Sequence, residues 1–282
     1  MKKYSDYAHS SVSMSKDNLF KATLEQLFID NNINHVIESG TYLGLGSTTL
    51  LANAIIKSNK AYPNFITIEA DKEIYDRAAV NLEKYKFITP KWGLSVAAAE
   101  AKKFIQTDEA ILNHEKYPEI FIDYIDNPIQ RYTEEMDGQL SKTIYGAPLK
   151  ITLSRVRKVL KINNWKNFGV RLKEYYFPKL KSLLTKTSKA SFEENIFERT
   201  IDENIRNTNP LFLLDSAGGI GYFEFQTVNR LMGGNPFFII LDDIHHLKHF
   251  RSYRDICKEN SGFTIIEKSL ENGWAVARYG KY

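Results

Sequence analysis

The chain has 282 residues, a formal charge of +4, and 43% hydrophobic and 13% aromatic residues, the balance of a soluble globular protein with a proper core. That length suits one large domain, or one domain carrying a substantial insertion. No apolar run approaches the roughly 18–20 residues of a membrane span, the N-terminal MKKYSDYAHSSVSMSKDNLF has no apolar stretch to make it a secretory signal, and the lone Cys257 excludes an internal disulfide and favours a reducing, cytoplasmic setting.

In chain order, NLFKATLEQLFIDNN (18–32) carries apolar residues at helical spacing, with Ser15 or Asp17 available as its cap. HVIESG is a short strand ending at glycine, GSTTLLANAIIKSN a helix, NFITIEAD a strand and KEIYDRAAVNLEKY a helix. ITPKWGLS reads as a weaker strand before the helix VAAAEAKKFIQ. Such alternation implies right-handed crossovers and a parallel sheet covered on both faces.

The pattern stops for about a hundred residues, apart from a candidate strand in YPEIFIDYI. That is too long for a structureless loop in a compact domain, so 105–204 is expected to be a mostly helical inserted lid or substrate region. Alternation resumes with the strand PLFLLDSAGG, a helix around YFEFQTVNRLMG, the strand FFIILDD and a helix HHLKHFRSYRDICKEN. GFTIIEKS and GWAVARYG close the chain, separated only by LENG, and such a short link requires an antiparallel pair. The expected fold is α/β, a Rossmann-like doubly wound sheet of seven strands. It comprises 1–104 and 205–282.

Three motifs carry chemistry. In VIESGTYLGLGSTTLL, a strand ends in Glu38, and Gly40, Gly44 and Gly46 precede a helix starting near Ser47. Glycines serve where backbone turns tightly beside a ligand, and the helix N-terminus offers free N–H groups. The spacing G-x3-G-x-G differs from the dinucleotide fingerprint. The second motif is Glu69, which ends the second strand where a carboxylate can reach both hydroxyls of a ribose. The competing role is helix capping, for which Asp71 is better placed.

These features, with the final FTIIEKS…GWAVARY hairpin, resemble a class I S-adenosylmethionine-dependent methyltransferase. The resemblance implies strand order 3-2-1-4-5-7-6. It also implies that Gly40, Gly44 and Gly46 pass beside the methionine part of the cofactor, that Glu69 holds the ribose, and that Ser95 lies near the adenine. Glu38, Thr41, Ser47, Ala70 and Asp215 complete the implied cofactor set.

The third motif is Asp215 after LFLL together with Asp242 and Asp243 after FFIIL. Unpaired carboxylates are costly to bury, whereas three converging ones suit a hard divalent cation such as Mg²⁺. The arrangement is similar to the metal-dependent macrocin O-methyltransferase and cephalosporin hydroxylase group, in which the metal would orient and acidify a substrate hydroxyl. The competing reading has Asp243 capping the next helix and Asp215 only lining the cofactor pocket. SAGGIG after Asp215 lacks the basic side chain of many relatives. His245 and His246 are then the nearest candidate bases, with an unperturbed pKa of about 6.5. His249 lies a turn further on, and a His245/His249 metal site would need a third ligand.

Between Lys142 and Lys189 stand thirteen lysines and arginines and one acid, Glu174, interleaved with aromatics. A solvated helical face, a surface for an anionic substrate, and a membrane-surface or nucleic-acid patch all compete here. Nucleic acid is the less favoured partner, because no recognised motif supports it. The sequence thus points to methyl transfer from S-adenosylmethionine to a hydroxyl of a sugar, glycan or glycosylated natural product, assisted by a divalent cation. A metal-independent enzyme acting on nucleic acid or another anionic substrate, and an inactive cofactor- or partner-binding protein, are the alternatives.

Overall fold

The computed structural model describes residues 14–144 and 190–280. Seven strands form one sheet: β1 His35–Ser39, β2 Asn64–Glu69, β3 Ile88–Trp92, β4 Leu211–Leu214, β5 Phe237–Leu241, β6 Phe263–Ser269 and β7 Trp274–Tyr279. Their order is β3-β2-β1-β4-β5-β7-β6, as the resemblance implied. The first five run parallel, and β7 lies antiparallel to both β5 and β6.

Numbering the described helices in order, α1 is Asn18–Asp30, α2 Ser47–Ser58, α3 Lys72–Leu82, α4 Ala98–Thr107, α5 Glu109–Leu112 and α6 Pro128–Ile144. Then come α7 Ile196–Thr200, α8 Glu203–Arg206, α9 Gly221–Met232 and α10 Phe250–Ile256. Of the two candidate caps, Asp17 closes α1, accepting from the N–H groups of Leu19 and Phe20. Asp71 does the same for α3.

Alternation along the buried strands sorts the core into two layers. Leu211 and Leu213 of β4 join Phe20, Leu24, Leu51 and Trp274 under α1 and α2. Phe212 turns the other way, against Phe197 and Phe237. α1 is tied to the last strand as well, since Asp17 Oδ2 accepts from the Trp274 indole at 2.7 Å.

Three expectations need correction. YPEIFIDYI forms no strand of the sheet; only Phe121 makes an isolated parallel bridge, to His246. The helix expected from His245 begins at Phe250, because Asp243 takes a left-handed φ of +55° and sends the following residues into turns. Asp243 therefore caps no helix. The boundaries of the insertion also shift. The compact unit bearing the sheet runs to Gln139 and resumes at Phe192. Residues 105–139 belong to it because Arg251 of α10 clamps Asp108 through two hydrogen bonds of 2.7 Å, both side chains buried. Residues after 192 belong to it because Glu193 pairs with Gly93 and Leu94 beyond β3. The second unit, Leu140–Ser191, is described only at its ends, and the basic segment expected to contact a substrate or surface lies outside the described residues. Among the described residues no helix is long and apolar enough to cross a membrane.

Candidate active site

A cavity of 580 Å³ opens at the carboxyl ends of the parallel strands. This is where the strand order reverses between β1 and β4, the position at which open α/β sheets bind ligands. Of the residues singled out in the sequence, Gly40, Glu69, Ala70, Ser95, Asp215, Asp242 and Asp243 line it.

Gly40 shows why the β1 loop needs glycine. Its φ is +91°, and a Cβ there would lie 2.2 Å from the carbonyl oxygen of Asp215, so no other residue lets the ends of β1 and β4 meet this closely. Glu38 is fully buried behind the loop. It accepts hydrogen bonds from Ser47 at 2.6 Å, Thr48 at 2.7 Å and Thr67 at 2.6 Å. Burial pushes its carboxyl up to about 7 despite these three donors. Glu38, Ser47 and Thr41 thus brace the loop from inside; Thr41 Oγ1 lies 2.5 Å from Thr67 Oγ1. Gly44 packs on Leu82, and Gly46 stands at the N-cap of α2.

Glu69 is held at the cavity wall by two backbone donors, Tyr42 N–H at 2.8 Å and Asp71 N–H at 2.9 Å. Each carboxylate oxygen has a second lone pair for a ligand. Burial raises its pKa. Ser95 donates to Glu224, which also accepts from Ser216 at 2.5 Å and Ser39 at 3.2 Å. Glu224 lies in the first turn of α9, lines the cavity and is completely buried, with its pKa raised by that burial. Sequence reading passed over it, since a single acid within YFEF looks like a solvated helix position.

At the other end, oxygens of Asp215, Asp242 and Asp243 lie within 4.8 Å of one another. The ammonium of Lys248 stands among them, 2.8 Å from Asp215 and 3.0 Å from Asp243. Burial would lower the Lys248 pKa, but Asp215, Asp243 and Asp242 push it well above the usual lysine value. Burial, then Asp215 and Asp243, drive the Asp242 carboxyl far up, and Asp215 is raised by burial against the opposing pull of Lys248. The donor set suits a hard cation, and the Lys248 ammonium already pairs with two of its three acids.

The histidines have other partners. His245 is half-buried and its Nε2 lies 2.7 Å from the Leu270 carbonyl. His246 is buried, with Nε2 3.2 Å from Asp123 and Nδ1 accepting the Lys248 N–H at 3.1 Å. His249 is buried in the core with its pKa pushed well down by desolvation. None of the three lines the cavity, because turns rather than a helix carry the chain on from Asp243.

The remaining wall comes from α6. Tyr132, Glu135, Met136 and Gln139 all line the cavity, at the i, i+3, i+4, i+7 spacing of one helix face. Tyr132 packs on Gly219 of the β4–α9 connection.

No protein-family model matches the chain, and no curated protein matches its sequence. Among solved structures it is similar to an O-methyltransferase from Bacillus cereus in complex with SAH, at 12% identity and a TM-score of 0.43, over 98% of this chain and 87% of that one.

Proposed function

We propose that the protein is an S-adenosylmethionine-dependent O-methyltransferase acting on a hydroxyl of an uncharged, hydroxyl-rich acceptor such as a sugar or glycoside. The observation that carries this reading is the layout of the cavity at the strand ends. Glu69 stands at the end of β2 and the Asp215–Asp242–Asp243–Lys248 cluster at the ends of β4 and β5, so both ends of the space are polar. A site of this volume has room for a nucleoside and part of an acceptor.

Bound S-adenosylmethionine supplies an electrophilic methyl group on a sulfonium. The chain supplies position and charge. Glu69, fixed by Tyr42 and Asp71 N–H groups, accepts from two vicinal hydroxyls without reorganising. Lys248 has three N–H donors, two of them directed at Asp215 and Asp243, and donates the third to the attacking oxygen, stabilising its developing negative charge. Asp215, whose carboxylate is held by Lys248, would take the hydroxyl proton as the acceptor is methylated. The Mg²⁺ suggested by the resemblance would compete with Lys248 for the same carboxylates, and no step requires it.

The lining favours a neutral or cationic acceptor over an anionic one. Seven acidic side chains (Glu69, Asp71, Glu135, Asp215, Glu224, Asp242 and Asp243) line it beside the single ammonium of Lys248, and an added anion would raise the cost of ionising them further.

Equilibrium binding tests the reading. The full chain is expected to bind S-adenosylhomocysteine in the micromolar range, with Glu69→Ala weakening it by about tenfold or more, as loss of a charged hydrogen-bonding partner implies. A screen of hydroxylated acceptors with methyl-labelled cofactor should then yield a labelled ether. Binding unaffected by Glu69→Ala would refute the assignment.

A further inference from the structure

We infer that Lys248 is a built-in cation occupying the place of a divalent metal, so that the aspartate cluster is complete without an ion and excludes one. Three carboxylates at the ends of β4 and β5 create the concentration of negative charge that elsewhere calls for a hard cation. Here the Lys248 side chain is only 8% exposed and its ammonium lies at hydrogen-bond distance from two of the three acids. Distances of 2.8 and 3.0 Å are those of charge-assisted N–H···O bonds. A divalent ion drawn into the same space would meet a like charge held by the very oxygens it needs.

The backbone is built to deliver this lysine. Asp243 turns left-handed, and Ile244 N–H bonds the Gly273 carbonyl at 2.8 Å. Leu247 N–H bonds the Phe121 carbonyl at 2.7 Å, and His246 Nδ1 accepts from Lys248 N–H. Gly221, at the start of α9, leaves the room required: a Cβ there would lie 2.9 Å from the Lys248 Cβ and 2.7 Å from the His249 ring. A solvated lysine that wandered into an acid cluster would need none of these supports. The inference goes beyond the proposed reaction, and its test requires no turnover.

Mg²⁺ and Mn²⁺ are titrated separately into the full-length chain by calorimetry, with wild type, Lys248→Met and Lys248→Arg compared. Wild type and Lys248→Arg are expected to give no saturable binding at millimolar metal. Lys248→Met is expected to gain a single site at least about tenfold tighter, since it keeps the carboxylates and loses the repelling charge. A chelator should leave the wild-type unfolding midpoint unchanged. Saturable submillimolar binding by wild type would overturn the inference, as would a folded Lys248→Met that binds no better than wild type. Should Lys248→Met not fold, the wild-type titration and chelator measurement decide alone.

Discussion

At the scale of single residues, the site is governed by how burial treats carboxylates. Glu38, Glu69, Asp215, Glu224 and Asp242 all have pKa values raised by desolvation. Each such group holds its proton more tightly folded than unfolded. Its contribution is therefore undiminished below the unfolded pKa and is lost as pH rises through the folded one. Glu38 gives the cleanest case, with its carboxyl raised from 4.5 to about 7 by burial. Relative to Glu38→Gln, which cannot ionise, wild type should lose up to about 3 kcal/mol of stability between pH 4.5 and pH 7.5. Paired urea unfolding curves across that range would show it; a pH-independent difference would mean that Glu38 ionises normally behind its loop. The glutamate itself was visible in the sequence, but its three hydroxyl partners were not. Ser47 and Thr48 are near in sequence, whereas Thr67 arrives from the neighbouring strand.

At the scale of elements, α6 is the piece whose role sequence pattern could have exposed. Tyr132, Glu135, Met136 and Gln139 recur at helical spacing, but they mix an aromatic, a carboxylate, a thioether and an amide, so a search for apolar stripes passes over them. They line the cavity beside the glycines that follow Asp215, where the proposed reaction would make α6 the acceptor wall. Gln139→Ala and Met136→Ala should raise the acceptor KM several-fold while leaving S-adenosylhomocysteine affinity within about twofold, a split that separates uniform acceptor binding from cofactor binding. Equal loss of both would place α6 against the cofactor instead. The turn from Asp243 to His249 is the contrasting element. Its residues read as a helix start, and only the left-handed Asp243 and the Phe121 bridge convert it into a loop that points Lys248 at the aspartates.

At the scale of the molecule, long-range ties join segments that the chain keeps far apart. The Asp108–Arg251 pair connects the region after α4 to α10, with Arg251 also 4.1 Å over the Tyr222 ring. Asp108→Ala removes one partner of a buried bidentate pair and the α5 cap together, so a loss of about 3–5 kcal/mol is expected, larger than for an exposed pair. The unfolding midpoint measures that loss, and amide exchange should show residues 105–139 losing protection first. An effect below about 1 kcal/mol would mean that the segment packs independently of this pair.

The strands and the acids at their ends were legible because they rest on local signals, whereas the strand order followed only from the resemblance to a known family. Runs of β-branched and aromatic residues, glycine after a strand, and acids at strand ends each depend on a few neighbouring residues. Asp215, Asp242 and Asp243 could be placed together because parallel strands bring their carboxyl ends to one edge. The tertiary structure alone decided what fills the space between those acids. LDDIHHLKHF offers three histidines and one lysine within reach of the strand end, and composition favours the histidines as bases. A left-handed residue, a bridge from Phe121 and the bare surface of Gly221 turn the histidines into supports and send in the lysine. Those are contacts between segments remote in sequence, and no local periodicity encodes them.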